Sequence, residues 1–169
     1  MRRFIEIMPT DLENAMKLIG KDWMLITCAD GEKVNAMTAS WGNMGVLWNK
    51  NVCTVYIRPQ RHTFSLIEKN ERFSISFFDE KYREALRYCG RVSGRDTDKL
   101  SDMSLGTADL CGVPVVREAK ITLICRKLYC DDIRKDSFVD SALLSNYPDE
   151  DYHRFYICEI EKSYLATEE

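Results

Sequence analysis

The sequence predicts a mainly β protein: an antiparallel sheet or barrel with a few short flanking helices. Three observations carry this. Runs rich in β-branched and aromatic residues recur along the chain, as at Val52–Ile57 and Phe73–Phe78. Turn signals of hairpin length join many of them, where parallel βαβ units would need helical crossovers. The 169 residues are 45% hydrophobic and 30% charged, enough to bury a core without disulfides or metal. No linker, repeat or low-complexity segment divides the chain, so residues 1–169 read as a single domain.

The elements follow in order. Thr10-Asp11-Leu12-Glu13 has the spacing of a capping box, and Leu12, Ala15, Met16 and Ile19 follow at helical spacing, predicting a helix over 11–19 stopped by Gly20. Trp23 to Cys28 reads as a buried strand, Asp30-Gly31 as a hairpin turn, and Val34 to Trp41 as the returning strand. Val52 to Ile57 is a strand closed by Pro59. Thr63 is placed to cap a helix containing Phe64, Leu66 and Ile67 and ending near Asn70. Phe73 to Phe78 alternates as a strand with one apolar face. Residues 80–89 read as helix broken by Gly90 and Gly94, and residues 100–113 as loop. Ala119 to Cys130 and Arg154 to Tyr164 are long strands, and the polar segment 131–152 between them is a loop or lid with a helical turn.

Charge and cysteine usage exclude several classes. Lys and Arg number 24 against 27 Asp and Glu, a net charge of −3, where a nucleic-acid partner would call for a basic excess. No window approaches the ~18 apolar residues of a membrane span, and no signal-like apolar region opens the chain. The seven cysteines form no C-x-x-C pair and only two histidines exist, His62 and His153, so no zinc framework is written here. Reduced thiols in a cytoplasmic protein are the expectation. There is no G-x-G-x-x-G, no G-x-x-x-x-G-K-[ST] and no G-x-S-x-G.

Three segments are built for ligand chemistry. In Asn35-Ala36-Met37-Thr38-Ala39-Ser40-Trp41 a strand ends in small and hydroxyl residues, which lets a planar ligand approach the backbone; Thr38 and Ser40 share one side, Asn35, Met37 and Trp41 the other. Arg58-Pro59-Gln60-Arg61-His62-Thr63 sits between strand and helix and has the composition of an anion site. Residues 81–99 hold six cations (Lys81, Arg83, Arg87, Arg91, Arg95, Lys99) against three anions (Glu84, Asp96, Asp98), and Ser93-Gly94 lies in a basic loop able to wrap a phosphate. The alternative reading of each is a mixed-face strand, a capped helix with solvated arginines, and a solvated positive surface on which Arg83 contributes little.

In these segments the chain resembles the flavin reductase-like family, FMN-binding split-barrel proteins that include flavoredoxin. The resemblance rests on Asn35 to Trp41, on Arg58 to Thr63 with Ile67, Asn70 and Phe73 behind it, on Ser93-Gly94-Arg95-Asp96-Thr97-Asp98-Lys99, and on His153 to Ile160, over roughly residues 15–165. Cys158 stands where the family often carries Gly. The resemblance implies a six-stranded Greek-key split β-barrel forming a homodimer with FMN near the interface. It implies an FMN-dependent oxidoreductase passing hydride from NADH or NADPH to flavin N5, with no catalytic side chain of its own. The alternative it leaves open is a non-catalytic FMN electron carrier serving a redox partner protein; a related split barrel holding haem on His153 or His62 is a third reading. By the same resemblance Asn35, Met37, Thr38 and Ala39 lie along the isoalloxazine edge, and Ser40 and Trp41 beside ring or phosphate. Arg58, His62 and Thr63 take the phosphate, Ser93, Arg95 and Lys99 contact the flavin from the basic loop, and His153 closes the site.

Overall fold

A computed structural model describes every residue except 1, 2, 32, 168 and 169. Ten strands form: β1 (Arg3–Ile7), β2 (Met24–Asp30), β3 (Lys33–Ala39), β4 (Gly42–Leu47), β5 (Lys50–Ile57), β6 (Arg72–Phe77), β7 (Thr107–Leu110), β8 (Val113–Val116), β9 (Ile121–Asp132) and β10 (Arg154–Thr167). Three α-helices accompany them: α1 (His62–Lys69), α2 (Arg83–Arg91) and α3 (Lys99–Asp102).

Eight strands make one antiparallel sheet in the order β3-β2-β6-β9-β10-β5-β4, with β1 added on β10; β7 and β8 form a separate hairpin. β10 divides the sheet. Its first half, residues 154–159, pairs with β5 and its last part, residues 163–167, pairs with β1, while β9 runs along its other edge. Two of the sheet's edge strands, β3 and β4, are consecutive in the chain and are joined by Ser40 and Trp41 alone. The sheet therefore opens where the sequence analysis placed the ligand strand.

Alternation explains the core. Phe73, Ile75 and Phe77 of β6 point inward with Ile26, Met37, Val55, Ile57, Leu123 and Tyr156. The intervening Ser74 and Ser76 are also fully buried, because the β7–β8 hairpin covers that face and Ser74 Oγ donates to the Pro114 carbonyl at 2.6 Å. A second cluster, Leu25 and Ala36 against Leu86 and Cys89, packs α2 on the outer face of β2 and β3.

Several expectations are corrected. The helix of 11–19 is displaced: Pro9–Asp11 is a separate tight turn, and a wide helical turn runs over Lys17–Asp22, through Gly20. Asn14 begins it, its Oδ1 accepting from Lys17 N at 3.0 Å. Gly90 does not break α2; it lies inside the helix, and an added Cβ would meet Thr38 Cβ at an ordinary packing distance of 3.5 Å. Arg61, not Thr63, is the cap position of α1, and it makes no side-chain cap bond. The strand from Val34 ends at Ala39, before Trp41. The loop of 100–113 contains the end of α3 and most of the β7–β8 hairpin. Six strands become eight in the main sheet because β1 and β4, unread in the sequence, extend it.

Candidate functional site

Three adjoining clefts surround the open end of β3. The first, of about 220 Å³, is lined by Met37, Thr38, Ala39, Ser40, Trp41, Tyr56, Arg58, Arg61 and His153. The second, of about 200 Å³, lies between the start of α1 and the basic loop, among Gln60, Arg61, His62, Thr63, Ser93, Gly94 and Lys99. The third, of about 450 Å³, lies across Thr38–Ser40 from the first, against α2. The sequence-nominated residues are thus gathered, with two exceptions. Asn35 is buried beneath the second cleft, its Nδ2 donating to Thr63 Oγ1 at 2.9 Å. Arg95 is exposed at the rim, donating to the Gln60 carbonyl at 3.2 Å.

Cationic groups dominate the second cleft. Lys99 is 4% exposed, and among the described residues its Nζ donates only to the Cys89 carbonyl, at 3.2 Å. Burial pulls its pKa down to about 8. Arg61 donates to the Gly90 carbonyl at 2.8 Å, and burial lowers its pKa too. Burial first, then the Arg95, Lys33 and Lys99 charges, depress the His62 imidazole. Its Nδ1 is buried with no hydrogen-bond partner among the described residues. Thr63 accepts from Asn35, which leaves the hydroxyl proton to be donated elsewhere. Gly94 brings the basic loop against this pair: an added Cβ would fall 1.9 Å from Asn35 Oδ1.

The first cleft has a different character. The Trp41 ring lies 5.2 Å from that of His153, tilted by 49°, and His153 Nδ1 meets the Tyr147 hydroxyl at 2.9 Å. Burial, assisted by the Arg58 charge, brings the His153 pKa down to about 4, so its ring is neutral at pH 7. Arg58 lines the first cleft and not the second. It is ion-paired with Asp151, donates to the Asn146 carbonyl at 2.9 Å and lies 5.0 Å over the Tyr147 ring, fastening the 131–152 segment beside the cleft.

Sequence reasoning did not nominate Tyr56; it placed Arg61 in the anion segment before α1 and Gly94 in the basic loop, without giving either a flavin contact. Tyr56 carries no local signal, since only the β5–β10 pairing brings it beside His153. Arg83 is likewise no solvated charge: its guanidinium lies 4.3 Å over the Trp23 ring and donates to the Lys21 carbonyl at 2.9 Å.

The donor set of the second cleft suits an anion with several acceptor oxygens, and the strand edge beside it suits a planar group. A family model described as flavin reductase like domain matches residues 16–169. The chain belongs to the flavin reductase-like family. Its split-barrel fold is shared with an FMN-binding domain of a flavin reductases-like enzyme from Shewanella baltica, at 16% identity and TM-score 0.71, over 97% of this chain and 78% of that one. Flavoredoxin from Methanosarcina acetivorans matches at 23% identity and TM-score 0.64, over 85% and 68%. A Streptomyces globisporus NADH:FAD oxidoreductase matches at 13% identity and TM-score 0.61, over 84% and 74%. No curated protein matches the sequence. Among the described residues, no helix of this family member is long and apolar enough to cross a membrane.

Proposed function

We propose that this flavin reductase-like chain holds FMN and works as an NAD(P)H-dependent flavin reductase. One observation carries the reading: Lys33, Arg61, Arg95 and Lys99 converge on or beside the second cleft, and none has a carboxylate partner among the described residues. Lys99 is buried and Arg61 partly so, and a buried cation without counter-charge is costly unless a ligand supplies it. A phosphate monoester supplies it, meeting Lys99, the free Thr63 proton and the orphaned His62 Nδ1 when that nitrogen carries its proton. One compact cationic cleft suits a single terminal phosphate, which favours FMN over FAD.

When bound, FMN accepts hydride from a reduced nicotinamide and passes the electrons on. The chain's own residues bind and orient. Thr38, Ala39 and Ser40 offer a backbone edge of small side chains, against which a flat ring can lie. Trp41, Tyr56 and neutral His153 wall the first cleft and exclude water without adding charge. Arg61, which lines both the first and the second cleft, places positive charge where a reduced, anionic ring needs it.

Steady-state oxidation of NADH and of NADPH by FMN-loaded protein tests this. Turnover of at least one, stimulated by free flavin or another acceptor, is the expected outcome. Inertness toward both, with FMN still bound, would leave the electron-carrier role in place of the reductase.

A further inference from the structure

The third cleft plays no part in the assignment above, yet it is the largest of the three at about 450 Å³. Trp23, Glu84, Leu86, Arg87 and Arg91 wall it, and Thr38–Ser40 form the partition it shares with the first cleft.

Trp23 is held there against its own backbone preference. Its φ of 69° and ψ of 162° fall in a region that glycine alone populates readily. Arg83 keeps it in place, stacked on the indole at 4.3 Å and bonded to the Lys21 carbonyl at 2.9 Å and to Glu80 at 3.2 Å. Strain of this kind gathers at ligand clamps, and an indole wall offers a stacking surface for a flat heterocycle.

Charge then selects the ligand. Glu84 and Arg87 form an ion pair and cancel each other. A free carboxylate in a nucleotide cleft selects an unmodified ribose by accepting from its 2′-hydroxyl, whereas an arginine accommodates a 2′-phosphate. Here the carboxylate is engaged by Arg87. Arg91, at the end of α2, lines both the second and third clefts and has no acidic partner among the described residues.

We infer that the third cleft takes the adenosine end of the nicotinamide donor, with Trp23 against adenine and Arg91 selecting a ribose 2′-phosphate. The protein then prefers NADPH to NADH. This rests on the reductase reading and names its donor.

Calorimetric titration of the FMN-loaded protein with 2′,5′-ADP and with its isomer 5′-ADP tests the inference without turnover. The 2′-phosphate isomer binds tighter by roughly ten- to a hundred-fold, the worth of a charge-assisted hydrogen bond. Arg91→Ala abolishes that preference and Arg91→Lys keeps part of it. Trp23→Phe weakens both isomers together and leaves their ratio unchanged. Equal affinities, tighter 5′-ADP, or a preference that survives Arg91→Ala would overturn the assignment. Flavin content, measured in the same samples, separates the two readings. FMN bound with no isomer preference defeats this inference alone. A preference in protein that never takes up FMN defeats the flavin reading alone.

Discussion

Lys99 is the side chain on which the site's electrostatics turn. It is buried, bonded to one carbonyl and drawn down to a pKa of about 8. Its folded value lies below the ordinary 10.5, so the unfolded chain binds more protons between about 8 and 10.5. Apo-protein stability therefore rises with pH across that window, and the full penalty of burying the charge stands below it. Lys99→Met removes the titration. The melting-temperature difference between parent and Lys99→Met should narrow as pH rises from 8 to 10.5, with the variant the more stable at pH 7. A bound phosphate reverses the preference: it stabilises the ammonium, so FMN affinity falls as pH rises through the apo pKa. A flat affinity profile from pH 7 to 10 in the parent would show that Lys99 does not face the anion.

At the scale of elements, Gly94 links the basic loop to β3 and α1. Gly94→Ala drives a methyl into Asn35 Oδ1, which is pinned under Thr63. The loop must lift, or Asn35 must give up a buried hydrogen bond at about 1–3 kcal/mol. Thermal unfolding and FMN titration should show both lower stability and weaker flavin binding. Unchanged values in both would mean that the loop moves freely over the site. The same elements show what the sequence discloses. The motifs at β3, at α1 and in the basic loop were legible because their residue types are unusual where they stand: small residues ending a strand, cations before a helix, Gly within a cationic run. β4 and the β7–β8 hairpin were not. Their turns, Trp48-Asn49 and Cys111-Gly112, have positive φ at both central residues, the geometry that Asn-Gly ordinarily announces. With Trp and Cys in the first position the signal vanishes. The displaced N-terminal helix has a similar cause: Thr10 falls inside the Pro9–Asp11 turn, capped by Met8 and Asp11, and Asn14 adopts φ 50° and restarts the chain. The ion pair of Arg58 with Asp151 was not legible, because its partner lies far along the sequence.

Over the whole molecule, the sheet's opening and its exposed apolar residues concern the same region. β4 is a free edge, and Val46, Leu47, Trp48 and Trp41 are exposed along or beside it. We propose that a second copy covers this edge, as the resemblance to FMN-binding split barrels implies. Light scattering should give twice the chain mass of 19.7 kDa at micromolar concentration. Val46→Glu, on the edge strand, should shift the mass toward one chain; a parent that is monomeric throughout would refute the dimer. Five of the seven cysteines are buried, with Cys53 and Cys125 sulfurs 3.5 Å apart in the barrel core, and only Cys111 and Cys130 are exposed. Burial pushes the Cys28 thiol up to about 12 and holds Cys125 well above its ordinary range, so these groups pack as apolar side chains.

The central claim is that the carboxylate-free cationic cleft beside β3 holds the phosphate of FMN. Titration of apo-protein with FMN, followed by quenching of flavin fluorescence, tests it most directly. Saturable binding of one FMN per chain is the predicted result, weakened roughly ten- to a hundred-fold by Lys99→Ala and by Thr63→Ala once their apo stabilities are taken into account. Absence of FMN binding, or both variants binding FMN as the parent does, would contradict it.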